Sequence, residues 1–189
     1  MTVWLLIVIA LACLAVGVVA GFWLPPRGRR RASDQPPPVR RILLPFTGQA
    51  IPRRAVESAV RLANAENASI IPAFLARVPR NLPIESPVPA ACAEGMPLLE
   101  VIEQRAGSQG IEVDARVARG RTYRDALRRL LEQERFDRII VSATDSPRNG
   151  LSSDDLEWLL ERVPAEVMIL RPAPGDSGLI SADGVHGHF

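Results

Sequence analysis

The chain has 189 residues, 47% hydrophobic and 23% charged, with a formal net charge of +2 and a pI of about 8.9. That supports a packed core and suits one ordinary domain with additions. The basic pI is no argument for nucleic-acid binding, because the excess is local. All 23 basic residues are arginine; six stand between residues 27 and 41 against one acid, and the remainder holds 17 arginines against 20 acids. Cys13 and Cys92 have no pairing logic and no zinc spacing, which fits a reducing compartment.

Residues 3–24 (VWLLIVIALACLAVGVVAGFWL) contain no charge. As a helix they would extend about 33 Å, enough for a hydrocarbon core of about 30 Å, with Trp4 and Trp23 near the two interfaces. A cleaved signal peptide would need a basic start, a shorter apolar core and a small-x-small site. Here the arginines follow the run instead. The pattern predicts a retained single span over residues 1–24, with the rest of the chain on the cytoplasmic side. Gly17 and Gly21 form one small-xxx-small pair, which is weak ground for helix pairing. Residues 25–40 are rich in arginine and proline and read as an extended spacer lying against anionic headgroups.

From residue 41 the pattern becomes that of a globular domain, over 41–173. Residues 42–46 (ILLPF) read as a buried strand. Thr47-Gly48-Gln49 turns the chain, and Pro52 opens a helix carrying Val56, Ala59, Val60 and Ala63 on one face. Residues 69–75 form a second strand, made irregular by Pro72. Four prolines make 77–95 a long loop, and Pro97 restarts a helix with Leu98, Leu99, Ile102 and Ala106 inward. Residues 111–117 alternate like a strand. Thr122 and Asp125 mark a helix start, followed by Ala126, Leu127, Leu130 and Leu131. Residues 138–142 (RIIVS) make the fourth strand. Ser152 and Asp155 mark the next helix start, with Leu156, Leu159, Leu160 and Val163 as its apolar face. Residues 166–170 are the fifth strand. Residues 174–189 are glycine-rich without apolar period and read as a disordered tail. Strands alternating with helices predict an α/β, doubly wound, five-stranded parallel sheet.

Several stretches carry a family resemblance: Arg41-Ile42-Leu43-Leu44-Pro45 before a helix, the run from Val117 through Gly120 to Leu127 followed by Phe136-Asp137-Arg138-Ile139-Ile140-Val141, and Val163-Pro164-Ala165-Glu166-Val167-Met168-Ile169-Leu170-Arg171. Together they resemble the universal stress protein domain, over about residues 40–173. The resemblance implies the adenine-nucleotide alpha-hydrolase-like fold, a strand order of 3-2-1-4-5, and dimerisation through the last strand. ATP-binding members of that family carry an acid after the first strand; Thr47 stands there in this chain. They also carry G-x2-G-x9-G-[ST] after the fourth strand. Here Gly150 matches the second glycine, Ser146 stands near the first, and Leu160-Glu161 replaces the closing pair. Glycine matters at such positions because amides close on phosphate only where no Cβ intervenes. Asp154, Asp155 and Glu157 satisfy the helix dipole themselves and repel a triphosphate. A nucleotide, if held, would meet Pro45, Thr47, Ser142, Thr144, Arg148, Gly150, Ser152 and Ser153.

Other chemistry has little support. His186 and His188 lack a third metal ligand nearby, and no histidine precedes residue 186 to complete a Ser-His-Asp set around Asp145 and Ser146. Cys92 has no activating neighbour in sequence. Tyr123 and Trp158 read as packing residues, and Arg124, Arg128 and Arg129 as a solvated face. The expectation is a membrane-anchored regulatory or interaction module, non-catalytic, without a cofactor, with an unidentified protein partner and no nucleic acid. The alternative is a nucleotide sensor that binds ATP in a divergent crevice over residues 142–153.

Overall fold

The computed structural model describes residues 40–48, 50–143, 151–171 and 178–181. The expected membrane span, the Gly17–Gly21 pair, the spacer up to residue 39, Thr144, Asp145, Ser146, Arg148, Gly150, His186 and His188 lie outside them. Among the described residues no helix is long and apolar enough to cross a membrane.

Strand β1 (Arg41–Phe46) is the centre of the domain. Ile42 and Leu43 are fully buried, and Leu44 and Phe46 nearly so. Because side chains alternate along a strand, Ile42, Leu44 and Phe46 join one core cluster while Leu43 joins the other. The first cluster takes helix α1 (Arg53–Glu66) through Val56, Ala59 and Ala63, and helix α2 (Pro89–Gly107) through Leu98, Ile102 and Ala106. The second takes helix α3 (Tyr123–Gln133) through Ala126, Leu127 and Leu130, and helix α4 (Ser153–Arg162) through Leu159. The sheet therefore has helices on both faces, the arrangement that a run apolar on both sides requires.

The other strands are β2 (Ala50–Pro52), β3 (Ser69–Arg77), β4 (Arg116–Gly120), β5 (Arg138–Ser142), β6 (Glu166–Leu170) and β7 (Leu179–Ser181). The parallel sheet has five strands, ordered β4-β3-β1-β5-β6. This differs in label from 3-2-1-4-5 because the chain makes an additional strand, β2, directly after β1. That strand stands outside the main sheet and pairs antiparallel with β7. The central place belongs to β1, between β3 and β5.

Four expectations need correction. The tail over 174–189 is not wholly without structure, since residues 179–181 pair with β2. Their apolar pair Leu179-Ile180 meets Ile51 and Pro52, a match too short to show as a period. Pro52 is the N-cap of α1, not its first helical residue. Helix α2 begins at Pro89, two turns before Pro97, so the loop after β3 is shorter than 77–95. Pro89 sits where a helix loses nothing by lacking an amide, and Pro97 is carried inside. Gly95 lets α2 lie on β3: a Cβ there would come within 2.3 Å of the Phe74 ring. Finally, the strand expected over 111–117 is only a bridge at Val113, and β4 begins at Arg116. Ile70 turns both its amide and its carbonyl toward 112–114. Two residues on, that side of β3 belongs to Pro72, which has no amide to give, so the ladder breaks and resumes at Ala73.

Ion pairs fasten the amino-terminal end of the sheet. Arg138 bonds Glu66 of α1 at 2.7 Å and Glu166 of β6 at 2.5 Å. Glu134 receives Arg41 at 2.5 Å and Arg116 at 2.8 Å, joining β1 to β4 beneath α3. Hydrogen bonds from Arg138 hold the Glu66 carboxyl below its ordinary range, and bonds from Arg116 do the same for Glu134. A carboxylate lowered in the folded state contributes stability above its unfolded pKa and loses it as pH falls through the folded value. The melting temperature should therefore be level from neutral pH down to about 5 and fall below about 4.5. The Glu66→Gln/Glu134→Gln double variant should show a shallower acid limb.

Backbone approach gives a second test. A Cβ on Gly120 would stand 2.2 Å from the Ala126 amide nitrogen, whereas nothing lies within 4 Å of one on Gly107. In urea unfolding, Gly120→Ala should lose about 1–3 kcal/mol. Gly107→Ala should gain roughly 0.5–1 kcal/mol.

Candidate functional site

Ligands of open α/β sheets bind beyond the carboxyl ends of the strands, where the strand order reverses. In this sheet that point lies between β1 and β5. Pro45 and Thr47 approach it from β1 and Ser142 from β5, so three of the expected site residues meet there. The space they enclose is small, about 10 Å³. Ile51 from β2 and Leu151, ahead of α4, line it and are 2% and 5% exposed. That volume is at the threshold for one water molecule. Small-molecule sites occupy about 300–1,000 Å³.

Thr47 is 1% exposed, and its hydroxyl makes no hydrogen bond; the Ser142 hydroxyl is likewise buried without a partner. Gly48, at φ 72°, makes the turn that carries the chain from β1 into β2. This turn brings Ile51 over the crevice. The signal for Leu151 was present in the sequence: an apolar residue just before the N-cap Ser152, with Leu156 at the staple position, and both join the same core cluster.

Ser152 and Ser153 stand at the start of α4, a helix end whose needs are met from within. The Ser152 hydroxyl accepts from the Asp155 amide at 3.2 Å and donates to the Asp155 carboxylate at 2.7 Å. That carboxylate accepts from the Ser152 amide at 3.2 Å, completing a capping box. Arg124 of α3 donates to its other oxygen at 2.8 Å. Burial pushes the Asp155 carboxyl up, but the Ser152 and Arg124 hydrogen bonds prevail and hold it below the ordinary aspartate range. With Asp154 beside it, this first turn presents carboxylates where a phosphate receptor needs bare amides.

At the start of α3 the Thr122 hydroxyl accepts from the Asp125 amide at 3.1 Å, as expected. The Asp125 carboxylate, however, receives the Arg121 amide at 2.8 Å and the Arg128 guanidinium, also at 2.8 Å. Arg128 reaches Glu132 at 3.8 Å as well. Tyr123 lies under the Arg77 guanidinium, 5.7 Å from ring to charge. Cys92 is a half-buried free thiol on α2 rather than in a loop. Among the described residues no group of three or more histidine, cysteine or carboxylate side chains is placed to hold a metal ion.

A second cavity opens on the other side of the β5 terminus, between α1 and the end of β6. It measures about 470 Å³ and is lined by Arg54, Glu57, Ser58, Arg61, Ser142 and Arg171, among others. The sequence reading did not mark the α1 residues. They carry no motif, and their convergence with Arg171 depends on where α1 lies across the sheet.

The fold of residues 41–171 is that of the universal stress proteins. A universal stress protein in complex with cAMP superposes with a TM-score of 0.51 at 20% identity, covering 70% of this chain and 97% of that one. One from Archaeoglobus fulgidus in complex with dAMP gives 0.52 at 10% identity, covering 69% and 96%. A family member from Burkholderia pseudomallei gives 0.50 at 17% identity, covering 69% and 94%. The sequence matches no protein-family model and no curated protein.

The two orphan hydroxyls predict how the crevice responds to substitution. Thr47→Val replaces a buried hydroxyl lacking a partner with an apolar group of the same shape and should leave stability unchanged or raise it by up to about 1 kcal/mol. Thr47→Asp places a carboxylate at the same buried position and should cost about 3–5 kcal/mol, the scale of an uncompensated buried charge. Urea unfolding of both variants distinguishes a closed crevice from an open one.

Proposed function

We propose that this chain is a membrane-anchored, non-catalytic regulatory or interaction module built on a universal-stress-type domain with a degenerate nucleotide crevice. The observation that carries this reading is the space between β1 and β5, reduced to about 10 Å³ by Ile51 and Leu151, with Thr47 in place of an acid. The apolar run over residues 3–24 would hold the domain at the cell membrane, and the arginines after it favour a cytoplasmic domain.

Strand β6 is an edge of the sheet and offers the means of association. Ile169 is 39% exposed on it, and Leu160 of α4 is 61% exposed. A second copy pairing along β6 would cover that edge and make a homodimer. A protein partner would then read the paired domains.

The second reading, a nucleotide sensor, draws on the two similar structures that hold cAMP and dAMP. Equilibrium dialysis of the full chain in detergent micelles, with labelled ATP, AMP and cAMP beside tripolyphosphate, separates the two. The degenerate-crevice reading expects no preference for the adenine-bearing ligands. Micromolar ATP binding at least about tenfold tighter than tripolyphosphate, a difference of about 1.4 kcal/mol, would overturn it. Loss of that binding in Gly150→Asp would locate the nucleotide in the loop after β5.

A further inference from the structure

We infer that the groove between the carboxyl ends of α3 and α4 is a docking site for an acidic peptide segment of a partner protein, one that carries an apolar anchor residue. The inference rests on the reading of this chain as an interaction module and supplies the chemistry of the partner.

The groove lies at the amino-terminal end of the strands, opposite the β1–β5 crevice, and shares no lining residue with it. It measures about 800 Å³. Leu131 near the end of α3 lines it, with Phe136 from the turn into β5. Trp158 of α4 lines it as well, with Val163 and Ala165 from the turn into β6. All five pack against the core beneath α3 and α4; Phe136 is buried and the others are half-buried. The apolar floor is therefore fixed in the core and recessed. A projecting side chain reaches such a floor, whereas a flat bilayer does not.

Charge decides what accompanies the anchor. Five charged side chains line the groove: Arg128, Glu132, Glu134, Arg135 and Arg162. Three of them are engaged within the domain. Glu134 receives Arg41 and Arg116, while Arg128 bonds Asp125 at 2.8 Å and reaches Glu132 at 3.8 Å. Arg135 and Arg162 remain. Both are exposed, and neither side chain has an ion pair or a hydrogen bond among the described residues. They belong to different elements, Arg135 just past α3 and Arg162 in the last turn of α4. The carbonyl ends of the two helices offset these charges by about half an elementary charge each, so the field at the groove stays positive.

The backbone that presents Arg135 is itself held. Arg41 donates to the Arg135 carbonyl at 3.1 Å, and its guanidinium lies 5.0 Å from the centre of the Phe136 ring. Guanidiniums bind carboxylates by paired, charge-assisted hydrogen bonds. Two of them beside an aromatic floor match carboxylates placed around one apolar side chain. Tryptophan and arginine are also the residue types that carry most of the energy at protein interfaces.

The test selects random peptides displayed on phage against the full chain in zwitterionic nanodiscs, since free detergent competes for an apolar groove. Selected peptides are then titrated by fluorescence anisotropy. The wild-type chain should select Asp and Glu around an aromatic residue or leucine. Arg135→Glu/Arg162→Glu should weaken those peptides by about tenfold or more, the equivalent of one lost charge-assisted hydrogen bond. From the same library the reversed variant should select Lys and Arg in the acidic places, which a damaged domain would not do. Trp158→Ala should weaken peptides of both kinds. Arg162→Gln, a neutral exchange at an exposed position, should lose several-fold and carries the test if the reversed variant fails to fold. Selection without acid enrichment, or affinities unchanged by charge reversal, overturns the proposal. So does arginine-dependent binding of phosphatidylserine in place of peptides, which assigns the groove to the bilayer. Self-association of the full chain that charge reversal abolishes overturns it too, and assigns the groove to a second copy. The nucleotide measurements report on the opposite end of the strands, so failure here leaves the degenerate-crevice reading standing.

Discussion

Everything in this domain depends on burying β1 on both faces. A strand with Ile42 and Leu43 fully covered needs a layer on each side, and successive side chains deliver one core to α1 and α2 and another to α3 and α4. Its backbone is covered as well, by β3 on one side and β5 on the other. With β1 in the middle, the reversal of strand order falls at its carboxyl end. The position of the candidate site therefore follows from hydrophobic burial before any polar residue is considered.

At that position apolar side chains fill most of the space, and the Thr47 and Ser142 hydroxyls are left without partners. Ile51 and Leu151 line the crevice, and α4 is capped by Ser152, Asp155 and Arg124. A helix end already provided with carboxylates gains little from phosphate. The adjacent cavity differs in that its helix lacks a side-chain cap and Arg54, Arg61 and Arg171 line it, while Ser142 is common to both spaces. The contrast lies in volume and helix capping rather than fold, because both spaces adjoin the end of β5.

The margins of the sheet show how local residue chemistry limits pairing. Pro72 interrupts the ladder on the β4 side, and the chain from 113 to 116 passes without continuous strand structure. At the opposite margin β6 retains an open edge and partly exposed apolar side chains. Between these margins Arg138 ties β5 to α1 and β6, and Glu134 ties β1 to β4. These contacts join residues far apart in the chain at the amino-terminal end of the sheet.

The sequence alone determined the layered α/β architecture, because period and apolar run length report burial directly. The stripes Val56-Ala59-Ala63 and Ala126-Leu127-Leu130, the buried runs 42–46 and 138–142, and the cap at Ser152 were all legible for that reason. The meeting of Pro45, Thr47 and Ser142 was legible through the family resemblance. Only the tertiary structure decided the lining of their crevice, since Ile51 and Leu151 arrive from separate segments and β2 pairs with β7 some 130 residues away. It also placed Arg54 and Arg61, on one stripe of α1, beside Arg171 from the end of β6. Local patterns record which way a residue faces; volume and charge at a site arise from segments that meet only when the chain folds.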